Sequence, residues 1–509
     1  MKNRSRDRWI VTAFLFVFSA AAFVPLTWAQ DAQPKYKADP PASILTPDKV
    51  ETELLGPLEF TDGMPTKATV EKTFDFLDVS RGAESFLSGM PATSLYAAME
   101  GFQKAGMEPG TLGLTEELMD AKSLFLTPNT TTVYGIVEID VKNGPIVMVI
   151  PPGVLGPMQD AMFRYLSDVG LVGPDKGKGG KYLIVHRSYK GNLPEGYFVV
   201  KTPTYRNIAF FRAFVTGGDL AGASRGVKEK FRLYPLAQAG NPPPQKFVNL
   251  SGKQFNTIHA NDYHFFEELN AVVQNEPADT FEPQLTGTFA SIGIKKGQPF
   301  APDARMKTLL TEAVAIGNAA ARSIVFASRD KDVFYYPDRQ WFSSFAGDYD
   351  FMNNGEMVLD DRTRWHYIAT GVTPAMAMPK VGTGSVYPAA ARDSKGNYLD
   401  GGKTYSVTLP GPVPAKAFWS FTAYDGQTRS LLETDQRTAG LDSTSPAVKA
   451  NPDGSYTVWF GPKAPKGKEG NWVQTWPGKS YFVFLRLYGP LEPWFDKTWK
   501  PGDFEMVTE

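Results

Sequence analysis

Four histidines, His186, His259, His264 and His366, are the chain's whole supply of imidazole for metal binding or for activating a nucleophile. His259 and His264 stand five residues apart, about 140° around a helix of 3.6 residues per turn, so they do not converge on one ligand. The His-Glu-x-x-His signature is absent, and no metal site is expected. With no cysteine in 509 residues, thiolate ligands, disulfides and a cysteine nucleophile are excluded. No phosphate-binding glycine loop leading into a helix occurs, so no nucleotide cofactor, indeed no cofactor, is expected.

Carboxylates and aromatic rings offer more. Asp348, Asp350, Asp360 and Asp361 lie among Trp341, Phe342, Phe345, Tyr349 and Phe351. Flat rings can stack on sugar faces while paired carboxylates do acid–base work, which makes Asp350 a catalytic candidate; the same pattern also fits packed rings with turn and cap acids. A second group is Thr127-Pro128-Asn129 followed by Tyr134. Asn129 after proline builds an Asx-turn or binds a ligand carbonyl or hydroxyl, and Tyr134 can move a proton. Arg486, in the apolar run Phe484-Leu485-Arg486-Leu487-Tyr488, needs a partner if it is buried. Asp425 could supply one, or a ligand carboxylate could be held bidentately. Asn471 and Trp472 carry the same double reading as ligand-binding candidates.

These residues must be positioned by strands and helices, and the composition allows both. Hydrophobic residues at 42% and charged residues at 21% are ordinary for globular chains, and the length suggests several domains. A formal net charge of -1 argues against nucleic acid as a partner. Lys2, Arg4, Arg6 and Arg8 precede the apolar run Ile10 to Phe23, and Thr27-Trp28-Ala29 offers a cleavage site before Gln30. We expect a signal peptide over 1–29, export to the periplasm, a disordered leader over 30–45, and no membrane span after cleavage. The alternation Thr132 to Val141, the run Pro145 to Ile150 and the segments Lys181 to His186, Tyr197 to Lys201 and Ile208 to Thr216 predict antiparallel strands in an N-terminal β-domain over 46–252. Asn143-Gly144 reads as a hairpin turn. Ala83 to Lys104 has helical spacing that Gly89-Met90-Pro91 should interrupt. Asn261 to Gln274 and Ala304 to Phe326 predict helices in a helical middle over 253–375. Aromatic strands between Tyr387 and Pro490 predict a C-terminal β-sandwich over 376–509.

On the residues Thr127-Pro128-Asn129-Thr130-Thr131-Thr132-Val133-Tyr134-Gly135, Asp140 and Gly144-Pro145-Ile146-Val147, the first part of the chain resembles the domain of unknown function 1254. Thr131 stands where that domain's motif usually carries Asp. The C-terminal part resembles the domain of unknown function 1214 through Ala417-Phe418-Trp419-Ser420, Tyr424-Asp425, Pro452-Asp453-Gly454-Ser455, Asn471-Trp472, Arg486-Leu487-Tyr488-Gly489-Pro490 and Trp499-Lys500-Pro501. The resemblance implies an exported bacterial protein, mainly β with helical insertions, whose two antiparallel β-sandwich domains are jelly-roll-like. It implies no established activity. Two functions are therefore carried forward. One is a binding module that takes a small-molecule or glycan-like ligand, or an envelope partner, in an aromatic interdomain groove. The other is a cofactor-free hydrolase or lyase using Tyr, Asp and Arg in the same groove. Exposed aromatics would suit a homo-oligomer.

Overall fold

The computed structural model describes residues 35–345 and 347–507. The expected signal peptide and the first part of the leader lie outside the described residues. Among the described residues the chain forms two compact units, divided between Lys72 and Thr73. In the first, Lys49–Thr52, Gly56–Thr61 and Met64–Pro65 make a three-stranded antiparallel sheet. The second unit is largely β-sheet with helices between the strands.

Two sheets come from its first half. One has six strands in the order Lys246–Asn249, Thr111–Leu114, Val133–Asp140, Arg206–Ala213, Leu155–Asp160, Tyr165–Gly170. The other has four: Phe198–Thr202, Gly180–His186, Ile146–Ile150, Arg232–Pro235. Side chains alternate along a strand, and the sequence uses both faces of the six-stranded sheet. Val133, Val137, Ile139, Ala209 and Phe211 share one core with Met148, Ile150, Tyr182 and Ile184 of the four-stranded sheet. Tyr134, Ile136, Ile208 and Phe210 point the other way, into a core shared with helices.

The second half repeats this logic. Ser385–Val386, Tyr481–Pro490, Ala415–Asp425 and Gly440–Asp442 form one sheet, with Ala389–Ala390 paired beside Tyr481–Pro490. Trp472–Gln474, Tyr456–Gly461, Tyr405–Leu409 and Glu505–Met506 form another. Trp419, Phe421, Val483, Leu485 and Leu487 meet Val407, Val458, Phe460 and Val473 in a common core. The alternate residues Tyr424, Phe482 and Phe484 turn toward the helix-lined core that Tyr134 and Phe210 also enter. The large aromatic content of the C-terminal strands is thus divided between two cores.

Three local expectations change. Asn143-Gly144 does not close a hairpin: Val133–Asp140 pairs with Arg206–Ala213 and Thr111–Leu114, while Ile146–Ile150 belongs to the other sheet. The turn moves the chain between sheets, because burying both faces of Val133–Asp140 outweighs the local turn preference. The strands are not all antiparallel; Gly180–His186 with Phe198–Thr202, Lys246–Asn249 with Thr111–Leu114, and Tyr456–Gly461 with Trp472–Gln474 run parallel. Pro91 does not break the first helix, which runs unbroken over Lys67–Lys104. Met90, Ala92, Leu95, Met99 and Phe102 are buried along it, and tertiary burial overrides the intrinsic cost of proline. Gly82 lets this helix approach Ala304–Phe326 closely, since a Cβ there would lie 2.7 Å from the Ala313 Cβ. Ala304–Phe326 is long and apolar enough to cross a membrane by length and composition, but Leu310, Ala313, Val314, Ala321 and Val325 are buried in the shared core.

Candidate functional site

Where the two β regions face the same core, a cavity of about 70 Å³ remains. Phe125, Leu126, Thr127 and Asn129 line it from the segment before Val133–Asp140, and Tyr134 from that strand. Pro157, Phe210 and Arg212 come from neighbouring strands. Trp365 comes from the helix Leu359–Ile368, and Ala369, Thr370, Gly371 and Met376 from the chain beyond it. Tyr387, Phe484 and Arg486 complete the wall from the C-terminal part. Asn129 and Tyr134 therefore meet Arg486, which is distant from both in sequence, at one cavity.

Strand register explains the meeting. Arg212 pairs directly with Tyr134 across the antiparallel ladder, so both point to the cavity face, and the Arg212 guanidinium lies 5.8 Å from the Tyr134 ring centre. On Tyr481–Pro490 the row Phe484, Arg486, Tyr488 faces the same way, opposite Thr422, Ser420 and Phe418. Between the two sheets runs Thr127-Pro128-Asn129, and each of its residues is tied to the C-terminal strands. Arg486 Nη2 reaches the Thr127 carbonyl at 3.4 Å, the Tyr424 hydroxyl donates to the Pro128 carbonyl at 2.8 Å, and Asn129 Nδ2 donates to the Tyr488 hydroxyl at 2.7 Å.

Asn129 does build the Asx-turn: its Oδ1 accepts from the Thr131 N–H and hydroxyl, both at 2.7 Å. Its own N–H donates to the Tyr134 hydroxyl at 3.1 Å, which leaves that hydroxyl's proton to be donated elsewhere. Thr131, at the position of the usual Asp, thus adds a hydroxyl donor to the backbone N–H that any residue there supplies, and an ionised carboxylate could not add it. Thr127 adopts a left-handed φ of 39°, a conformation costing on the order of 1–3 kcal/mol for a non-glycine residue. Bonds from its N–H to the Arg429 carbonyl and from its hydroxyl to the Ile368 carbonyl, 3.0 and 2.8 Å, hold it there.

Charge at the cavity is one-sided. Arg486 is 3% exposed, yet no carboxylate pairs with it among the described residues. The proposed partner Asp425 instead binds Lys479 at 3.0 Å and caps the turn at Gln427 and Thr428. Arg486 donates only to neutral oxygens, Thr422 Oγ1 at 3.0 Å and Tyr424 Oη at 2.6 Å besides Thr127, and its Nε has no partner. Arg212 likewise has no carboxylate neighbour; hydroxyls of Tyr134, Tyr387 and Tyr488 surround it. Burial works against both charges, but the tyrosine oxygens more than offset it and both guanidinium groups stay protonated. Burial also pushes the Tyr424 hydroxyl up to about 12 and raises that of Tyr488, the arginines pulling the other way. Among the described residues, no Asp, Glu, His or Lys lines the cavity. The Trp365 indole N–H, in the cavity wall, is buried without an acceptor.

The other sequence candidates lie elsewhere. Asn471 holds a loop: its Oδ1 accepts from the Lys449 N–H at 2.8 Å, and its Nδ2 donates to the Lys449 and Thr457 carbonyls at 2.9 Å. Trp472 donates its indole N–H to the Gly461 carbonyl at 2.9 Å. Neither lines the cavity. Asp350 is exposed and caps a turn through the Met352 N–H at 3.1 Å. Trp341, Phe342 and Phe351 are buried in the cores, so their faces are spent on packing. Among the described residues, no group of three His, Asp or Glu side chains could hold a metal ion. Arg212, Tyr387 and Trp365 were not singled out from sequence. Arg212 carried the signal that marked Arg486, a charge in the alternating row Ile208, Phe210, Arg212.

Two family models match the chain. Residues 109–235 match Protein of unknown function (DUF1254), and residues 384–492 match Protein of unknown function (DUF1214). The chain carries both regions. Asn129, Tyr134 and Arg212 belong to the DUF1254 region, Tyr387 and Arg486 to the DUF1214 region, and Trp365 and Gly371 to the connection between them. No curated protein matches the sequence. A crystal structure of the VPA0106 protein from Vibrio parahaemolyticus is similar over 85% of this chain and 100% of its own, at 16% identity and a TM-score of 0.53, which is a likeness of fold. A putative uncharacterized protein from Burkholderia cenocepacia aligns over 86% of this chain and 96% of its own, at 12% identity and a TM-score of 0.39.

Proposed function

We propose that this protein binds a small anion in the cavity between its DUF1254 and DUF1214 regions. One observation carries the reading: two arginines, one from each region, face one cavity with no carboxylate to neutralise them. Arg486 is a buried cation without a carboxylate, which costs several kcal/mol, and at an effective dielectric of about 20 an anion 4 Å away returns about 4 kcal/mol per charge. A bound anion therefore completes a site that is electrostatically incomplete without it. Hydrolysis by a pair of carboxylates has no support, since no acid among the described residues lines the cavity and Asp350 lies outside it. A glycan ligand is disfavoured by the small volume. Tyr134, whose hydroxyl accepts from the Asn129 N–H, keeps a proton to share with the ligand, and this is the feature a catalytic role would use.

Calorimetric titration of the mature protein with organic and inorganic anions at constant ionic strength tests the proposal. Saturable binding that weakens in Arg212→Gln supports it. If no anion binds, or the variant binds equally well, the proposal fails. The charged, apolar N-terminus supports export as well, and N-terminal sequencing of secreted protein should start at Gln30; an intact Met1 in the exported fraction would refute this. We further propose that each pair of sheets stacks as a jelly-roll-like sandwich. The shared cores support this, and an experimental structure with unstacked sheets would overturn it.

A further inference from the structure

Resting on that anion-binding reading, we infer that the ligand is a short-chain monocarboxylate of about two to four carbons. Three features of the cavity lead there. The first is size. A dry cavity of about 150 Å³ accommodates benzene, and this one offers about 70 Å³, so the smallest carboxylates fit it better than a ring-bearing one such as benzoate.

The second is how the two arginines are used. Arg486 already spends Nη1 and Nη2 on Thr422 and Tyr424. It supplies field rather than a free fork. Arg212 is only half-buried; the Tyr387 hydroxyl is hydrogen-bonded to it and no carboxylate is, among the described residues. Its planar, paired donors match one carboxylate bidentately. One docking fork beside one background cation suits a single carboxylate better than two.

The third is the wall. Phe125, Phe210, Trp365 and Phe484 surround the remaining space. Apolar surface of this kind favours a ligand with a hydrocarbon tail, at about 0.8 kcal/mol per buried CH₂. It disfavours phosphate, sulfate or a second carboxylate, because the neutral donors there, the Tyr134 hydroxyl and the Trp365 indole N–H, are few and most of the additional oxygens would face rings.

The test is a calorimetric series on the mature wild-type protein at fixed ionic strength, using acetate, propionate, butyrate, benzoate, malonate, inorganic phosphate and neutral butyramide. Propionate or butyrate should bind tightest, at least about tenfold tighter than benzoate, malonate, phosphate or butyramide. Arg212→Lys, which keeps the charge and loses the fork, should weaken propionate by about tenfold or more with an unchanged far-UV spectrum. If benzoate, malonate or phosphate binds tightest and that binding is lost in Arg212→Gln, the short-chain monocarboxylate assignment is wrong while anion binding stands. If none of the anions binds, both fall. The wild-type series decides between these outcomes even if a variant fails to fold.

Discussion

Replacing Arg486 with methionine separates a structural arginine from one held ready for a ligand. The side chain makes two hydrogen bonds of good length, 3.0 Å to Thr422 and 2.6 Å to Tyr424, and a long one of 3.4 Å to the Thr127 carbonyl. Hydrogen bonds to a charged donor contribute about 1.5–3 kcal/mol each, so the two good ones supply about 3–6 kcal/mol. Burying the guanidinium without an anion costs several kcal/mol, and the two terms nearly cancel. Methionine fills much of the same volume. It strands little, because Tyr424 keeps its bond to the Pro128 carbonyl and the Thr422 hydroxyl can rotate. The free protein should therefore change in unfolding free energy by less than about 2 kcal/mol. Ligand stabilisation should behave differently: a propionate concentration of 100 Kd should stabilise the wild type by about 2.7 kcal/mol and the variant by well under half of that. Urea unfolding followed by tryptophan fluorescence, with and without propionate at fixed ionic strength, measures both quantities. A loss above about 4 kcal/mol in the free protein would mark Arg486 as a structural keystone. Undiminished ligand stabilisation would refute its part in the site.

Two further variants isolate other features. Asn471→Ala removes three hydrogen bonds and leaves the Lys449 N–H and Thr457 carbonyl short of partners. It should destabilise by about 2–3 kcal/mol while leaving propionate affinity within about twofold, and a large affinity loss would return Asn471 to the site. Glu276 is buried, and its carboxyl is pushed up to about 7 by burial, against an ordinary value of 4.5. Its contribution to stability is fully present below pH 4.5 and is lost as pH rises through 7, at about 1.4 kcal/mol per pH unit in between. Glu276→Gln should remove that slope in urea unfolding between pH 4.5 and 7, and an unaltered slope would count against it. His366, also buried, is pushed down to about 3 by burial. Its contribution has the opposite sign, present above pH 6.5 and lost as pH falls, so His366→Asn should flatten the acid side of the same profile.

Alternation and turn chemistry were legible along the chain wherever one element settled the question. Ala304–Phe326 appears with the bounds its periodicity implies, Val133–Asp140 and Ile146–Ile150 appear within a residue or two, and Asn129 forms its Asx-turn. Each depends on neighbours within a few residues, where local sterics and hydrogen bonding act. The Asn143-Gly144 turn shows where local reading stops. The dipeptide specifies a reversal of the chain but not the pairing of its flanks, which was fixed by strands arriving from Thr111–Leu114 and Arg206–Ala213.

The candidate site depends still more on distance. That Arg486 needs a partner followed from its place among apolar residues. That the partner is not Asp425, and that Arg212 stands at the same cavity, followed from long-range pairing. Arg212 faces the cavity because it is registered against Tyr134 and not one residue to either side, and a slip of one would send it into the opposite core. Asn471 and Trp472 were chemically as plausible as Asn129, yet their bonds close a loop at the far sheet of the C-terminal part. Residue type and periodicity thus set which groups required an answer, while the folding together of segments some 350 residues apart set what the answer was. A buried charge must be compensated, but nothing local in the chain states by what.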